Sequence, residues 1–271
     1  MKEIDCKAIH EILKLFIQTT LEKSGFTRSV IGISGGLDSA VVLNLLVTAL
    51  GAGNVFALLM PYRLSDPANL QDAEKLCDQA RVSRETIDIS PSVDSYFKRH
   101  PTDNPVLIGN KCARERMSVL YDFSERKKAL VAGTSNKSEL LIGYFTLYGD
   151  SAAAFLPLGD LYKTQVRKLA RYLKIPGAII DKSPSADLWK EQTDEKEIGL
   201  SYPVLDGILY LLVEERLSIR EIADQGYSLP DIRKVRQLII QSQFKRTLPP
   251  IPKLSSRTVG MDFRYLRDWN G

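Results

Sequence analysis

The sequence predicts an α/β protein: an open parallel sheet with helices on both faces, followed by a helical appendage. Three observations carry this. Short apolar runs alternate with helical patterns through the first two thirds of the chain, the β-α-β-α rhythm of a parallel sheet. Those runs are almost continuously apolar, as strands covered on both faces are. From Val204 onward, helical patterns follow one another with no strand between them.

The elements follow in order. Cys6 to Leu21 places Ile9, Ile12, Leu13, Phe16, Ile17 and Leu21 on one helical stripe, stopped by Ser24-Gly25. Arg28 to Ile33 is a strand running into glycines, and Leu37 to Leu50 is a strongly apolar helix. Asn54 to Met60 is a second strand. Pro67 to Ala80 is a helix, with Pro67 in the first turn after Asp66. Arg84 to Ile89 reads as a strand, Val106 to Lys128 as a long helix and Ala129 to Ala132 as a brief buried strand. Leu161 to Leu173 is helical. The last third holds helices at Val204 to Glu215, at the Ser218/Glu221 capping box ending at Gly226, and at Pro230 to Gln243. The expected organisation is an α/β core over 1–190, a helical appendage over 191–250 and an unassigned tail over 251–271.

Composition narrows the function classes. The chain has 271 residues, 44% hydrophobic and 26% charged, with a net charge of +4. That is ordinary for a globular protein. The mild positive excess suits an anionic small molecule and falls short of the basic stripe of a nucleic-acid binder, so no nucleic-acid partner is expected. Cys6, Cys77 and Cys112 form neither a disulfide framework nor a C-x-x-C pair, and two histidines make a zinc cluster improbable. The longest apolar run, Ala40 to Leu50, is too short to span a bilayer, and no signal peptide opens the chain. A cytoplasmic location without membrane contact is expected.

The strongest chemical signal is Ser34-Gly35-Gly36-Leu37-Asp38-Ser39, between an expected strand and an expected helix. Backbone N–H groups at a helix start, the helix dipole and glycine's lack of a side chain together make an anion site. Asp38 beside such a site repels phosphate unless a cation bridges them, and Mg²⁺ held by one or two carboxylates plus phosphates resolves the conflict. The plainer reading is a tight turn with Asp38 and Ser39 as first-turn residues. No Walker A pattern and no G-x-G-x-x-G occur. A second segment, Gly133-Thr134-Ser135-Asn136-Lys137-Ser138-Glu139, follows the Ala129–Ala132 strand. It can supply nucleotide contacts and a second metal carboxylate. Equally, Ser135 or Asn136 can simply cap a helix.

The S-G-G-x-D-S loop resembles the pyrophosphate-binding loop of the adenylating ATP pyrophosphatases. The second segment, together with Gly143 to Asp150 (G-Y-F-T-L-Y-G-D), resembles the G-T-x-N-x-S-E … G-x-x-T-x-x-G-D signature of NAD synthetases. Asn110 to Met117, Pro157 to Thr164, Ser183 to Leu188 and Gln192 to Glu197 match further stretches of that family in the same order. The resemblance covers roughly Ile4 to Pro250 and implies an adenine nucleotide alpha hydrolase-like, Rossmann-like fold. It implies that Gly32, Ile33, Ser34, Gly35, Gly36, Leu37, Asp38 and Ser39 hold ATP, with Thr134, Lys163 and Ser185. It implies that Asp38 and Glu139 hold Mg²⁺, that Asp38 and Lys163 are catalytic, and that Arg114 binds deamido-NAD.

The implied reaction has two steps. The nicotinate carboxylate of deamido-NAD attacks the α-phosphate of ATP and releases pyrophosphate; ammonia then displaces AMP, giving NAD⁺. The family works as a homodimer, and the apolar surface of Val106 to Leu120 and Val204 to Leu212 agrees with that expectation. The stretch before Cys6 leaves no room for the amidase domain of glutamine-using relatives. Leu147, Ala154 and Phe244 stand where many members carry Lys, Asp and His, so substrate contacts there differ. Two alternatives remain at this point: a tRNA-modifying adenylating enzyme, and a non-catalytic nucleotide-binding protein of the same fold.

Overall fold

A computed structural model describes residues 3–185 and 192–259. Ala186, Asp187 and Leu188 of the fifth motif lie outside the described residues, as does most of the tail, 260–271. Twelve helices and four strands make up the described chain: α1 Cys6–Lys23, β1 Ser29–Gly32, α2 Leu37–Leu50, β2 Val55–Leu59, α3 Pro67–Ala80, β3 Ser83–Thr86, α4 Ser90–Arg99, α5 Pro105–Lys127, β4 Leu130–Ala132, α6 Lys137–Ile142, α7 Lys163–Tyr172, α8 Gly177–Ile180, α9 Asp194–Ile198, α10 Tyr202–Val213, α11 Ile219–Asp224 and α12 Leu229–Gln241.

The sheet has the order β3-β2-β1-β4, every pair parallel. Successive side chains leave a strand on opposite faces, and the packing shows it. Ile31, Ala57, Leu59 and Ala132 enter one core with α1, α2, α3 and α7. Val30, Leu58 and Val131 enter the opposite core with α4 and α5. The sheet is therefore covered on both faces, as the unbroken apolar runs require. Strand order reverses about β1, whose neighbours β2 and β4 continue in opposite directions. In such sheets a ligand crevice opens at the carboxyl ends beside that reversal.

A third core joins α6, α9, α10, α11 and α12, with Leu205, Ile208, Leu209, Ile222, Ile232 and Val235 at its centre. Leu205, Leu209 and Leu211 are buried in it, and Val204 and Leu212 pack against it. The expectation that this stretch offers spare apolar surface is therefore corrected, because the chain's own helices cover it. Val106 and Leu107 on α5 stay more than half exposed.

Several elements differ from the sequence expectation, which did not include the short helices α8 and α9. The third strand ends at Thr86 rather than Ile89, and all four of its residues are exposed. It is an edge strand, so its polar residues face water. Asp88 then accepts from Ser90 N at 2.8 Å just before α4, a helix the sequence reading did not separate from its surroundings.

Candidate active site

The turn after β1 is built around Gly35. Its φ is +79°, and a Cβ there would lie 2.2 Å from the Asn69 carbonyl oxygen, so only glycine fits. Ser34 Oγ accepts from Gly36 N at 3.3 Å, and Ser39 Oγ donates to Gly36 O at 3.0 Å. The side chains thus tie the turn to itself. Gly36 caps α2 with no side-chain acceptor for the first N–H groups, and those orphan donors open toward the crevice. Replacing Gly35 by alanine is expected to displace α3 or the turn. ATP-dependent turnover should fall at least tenfold while far-ultraviolet circular dichroism stays that of the parent.

The crevice encloses about 650 Å³. Residues 32–34 and 36–39, Thr134, Glu139, Lys163 and Ser185 all line it, so the structure gathers ten of the eleven residues expected to hold ATP and both carboxylates expected to hold Mg²⁺. Gly35 is the exception and supports the turn from behind. Arg114 does not line the cavity: its Nε donates to the Leu147 carbonyl at 3.3 Å on the neighbouring surface. Leu147, Ala154 and Phe244 also lie outside the cavity lining, although Lys245 belongs to it.

On the cavity floor, Lys163 Nζ meets two carboxylates. It donates to Asp38 Oδ2 and, at 3.2 Å, to Glu139 Oε1. The three side chains are only 5%, 16% and 15% exposed for Lys163, Asp38 and Glu139, so water screens them little. Burial works against the Lys163 charge, but the attraction of Asp38 and Glu139 outweighs it and holds the ammonium well above the ordinary lysine range. Burial pushes the Glu139 carboxyl up, with Lys163 opposing and Asp38 adding to the rise. Nearby, Asp194 accepts from Tyr202 Oη at 3.1 Å and from Tyr144 Oη at 3.2 Å, and the Tyr202 ring lies 5.2 Å from Lys163 Nζ.

Asn136 links the pieces. It caps α6 by accepting from Glu139 N at 3.1 Å, while Glu139 Oε2 accepts from Asn136 N at 3.3 Å. Its Nδ2 donates to Asp38 Oδ1 at 3.2 Å. The capping reading of this segment is realised, and the same capping box places Glu139 in the crevice lining.

Asp206, which sequence reasoning missed, anchors the site from α10. Wholly buried, it accepts from Ser138 Oγ at 2.5 Å and from Thr164 N at 2.8 Å, and Ser138 Oγ accepts from Lys163 N at 2.9 Å. This network fixes the starts of α6 and α7, and with them Glu139 and Lys163. The signal was present: Asp206 is the one charge within the apolar run Tyr202 to Val213.

No group of three or more His, Cys, Asp or Glu side chains among the described residues could form a complete metal cage. Two carboxylates from separate helices facing an anion-binding turn are instead the donor set that suits Mg²⁺ shared with substrate phosphates. The residues fit that ion. Among the described residues, no helix is long and apolar enough to cross a membrane.

A parallel sheet with this glycine turn and this acid–lysine cluster at its carboxyl ends defines an α/β nucleotide-binding protein of the adenine nucleotide alpha hydrolase-like class. Comparison with known proteins narrows it. The family model described as NAD synthase matches residues 9–249, and the chain belongs to the NAD synthase family. A Chlorobium phaeovibrioides protein named NH(3)-dependent NAD(+) synthetase is 49% identical over 98% of this chain and 96% of its own length. Among solved structures, the NH3-dependent NAD synthetase from Campylobacter jejuni is 37% identical, covers 93% of this chain and 100% of its own, and superposes with a TM-score of 0.80. The NMN synthetase from Francisella tularensis has 32% identity over the same shares and a TM-score of 0.83.

Proposed function

We propose that this chain is an ammonia-dependent NAD⁺ synthetase: it uses ATP to adenylate deamido-NAD and then amidates the adenylate with ammonia, releasing AMP and pyrophosphate. The observation that carries this reading is the meeting of Asp38, Glu139 and Lys163 beneath the Ser34–Ser39 turn, in a chain nearly half identical to a named synthetase over its whole length. No protein nucleophile is required. The turn and the α2 N-terminus bind phosphate, and Thr134 and Ser185 line the nucleotide crevice. Lys163 holds positive charge where pyrophosphate departs. Asp38 and Glu139 would hold Mg²⁺, which when bound neutralises phosphate charge.

The cysteines speak against the thiol-using alternatives. All three are free; Cys77 and Cys112 are buried, which pushes the Cys77 thiol up to about 11 and raises that of Cys112 as well. Reactive thiols need the opposite shift. The test is the nitrogen source. NAD⁺ should form with ammonium and not with glutamine once ammonia is scavenged, and the rate at fixed total ammonium should rise with pH as free ammonia increases. Sustained turnover on glutamine alone would overturn ammonia dependence. Offering the deamido form of NMN beside deamido-NAD shows which nucleotide the site accepts; a clear preference for the mononucleotide would shift the substrate assignment and leave the adenylation chemistry standing.

Arg114, outside the ATP crevice, is proposed as a deamido-NAD contact, since a guanidinium fork suits phosphate or carboxylate. Arg114→Ala should raise the KM for deamido-NAD at least fivefold more than that for ATP in initial-rate measurements. Equal changes would remove Arg114 from the substrate site. A homodimer is also proposed, joined through the exposed Val106 and Leu107 face of α5. Light scattering should give twice the chain mass at assay concentration, and a fully active monomer would refute it.

A further inference from the structure

The cations lining the crevice are not equivalent. Lys163 is paired with Asp38 and Glu139. Lys182 is held by Asp72 Oδ2 at 2.8 Å and Asn69 Oδ1 at 2.6 Å. Lys245 donates to the carbonyl oxygens of Gly143 and Phe145, both at 2.8 Å, and Arg116 Nε donates to the Met60 carbonyl at 3.0 Å. Arg167 also lines the crevice, yet its Nε–H is buried with no hydrogen-bond partner, and it forms no ion pair with a carboxylate among the described residues. A buried donor left unmade is costly, and an arginine presents five of them in a fixed fork. Because this donor lies in the lining of an open crevice, a bound ligand can satisfy it.

Its position says which ligand. Arg167 lies four residues after Lys163 on α7, so the two side chains share one face, one turn apart. Val166, Leu169 and Ala170 beside them pack into the core. That core joins α7 to α2, whose uncapped N-terminus and flanking serine hydroxyls form the anion-binding end of the crevice. Both the α2 and α7 N-termini add positive potential there.

We propose that Arg167 is a binding residue for the nucleotide's polyphosphate, holding the phosphates of ATP and then the pyrophosphate released from it. This rests on the nucleotide reading above. A guanidinium suits this role because it pairs bidentately with phosphate oxygens and never loses its charge. Lys163 shares its charge with Asp38 and Glu139, so Arg167 adds positive charge for the polyanion that the lysine alone does not supply.

The test compares the full chain with Arg167→Met and Arg167→Lys. Inorganic pyrophosphate with Mg²⁺ is titrated calorimetrically without deamido-NAD, and KM values are measured for both substrates. Arg167→Met should bind pyrophosphate at least tenfold more weakly and raise the KM for ATP by a similar factor. The KM for deamido-NAD should stay within twofold. The melting temperature without ligand should not fall, since the substitution removes an unsatisfied buried donor, whereas a purely structural arginine would lower it. Arg167→Lys keeps the charge but loses the fork, and should fall between the two. Pyrophosphate binding and KM for ATP within twofold of the parent overturn the proposal. So does an equal rise in both KM values accompanied by a lower melting temperature. Should Arg167→Met fail to fold, Arg167→Lys decides by the same titration: several-fold weaker binding supports the proposal, and unchanged binding overturns it. A parent protein that binds pyrophosphate through Arg167 yet forms no NAD⁺ would refute the synthetase reading and uphold this one.

Discussion

Lys163→Ala is expected to lower turnover by about a hundred- to a thousandfold, the range found when one preorganised donor to a developing charge is removed. It is also expected to change stability in a pH-dependent way. Lys163 holds Asp38 and Glu139 together on the cavity floor. Removing one member of a buried charge group costs about 3–5 kcal/mol when it leaves the others uncompensated. Glu139 has an outlet, because burial already pushes its carboxyl up and Lys163 is the opposing influence. Without Lys163 its folded pKa climbs further above the unfolded value. A group raised in this way contributes stability that is present below its unfolded pKa and lost as pH rises through the folded one. The variant should therefore melt close to the parent in mild acid and progressively lower as pH passes through neutrality. A pH-independent deficit would mean that Lys163 and Glu139 are not coupled as described.

Asp38→Asn and Glu139→Gln should each cut turnover by at least a hundredfold while leaving the fold unchanged. The substitutions separate charge from shape. In the first, the new amide oxygen can still accept the Asn136 Nδ2 hydrogen bond that Asp38 Oδ1 accepts at 3.2 Å. In the second, the new side chain can still complete the α6 capping box, where glutamine serves as well as glutamate. What each variant loses is a formal charge facing the anion-binding turn. If these carboxylates share Mg²⁺ with the nucleotide, raising the Mg²⁺ concentration should recover part of the rate. Normal Mg²⁺-dependent turnover in either variant would remove that residue from the metal site.

Most of the fold was legible because its signals are local. The α2 boundaries, Leu37 to Leu50, and the α3 boundaries, Pro67 to Ala80, were read from apolar spacing, a glycine turn and an Asp-Pro cap. The parallel sheet followed from runs such as Val55 to Leu59, which an antiparallel strand with a wet face would not carry. The misread third strand shows the limit. Edge position is a tertiary property, so Ser83–Thr86 shows no apolar pattern, and the reading drifted toward Ile87 and Ile89. At the site, the glycine turn and the Thr134–Glu139 segment announced themselves by residue type at strand ends. That Lys163 would sit on both carboxylates was not readable, since 125 residues separate it from Asp38. Asp206 and Arg167 were missed for a related reason. Arg167 is an ordinary helix residue in sequence, distinguished only by its unsatisfied donor, whereas Asp206 stood out as a lone charge in an apolar run but its partners, Ser138 and Thr164, are far from it in sequence.

The central claim is an amide bond formed at the expense of ATP. The direct measurement mixes the protein with ATP, Mg²⁺, deamido-NAD and ammonium, and follows NAD⁺, AMP and pyrophosphate together. The account predicts all three in equal amounts, with none formed when deamido-NAD is omitted. Release of ADP and phosphate instead, or the absence of NAD⁺ while every substrate is present, would contradict it.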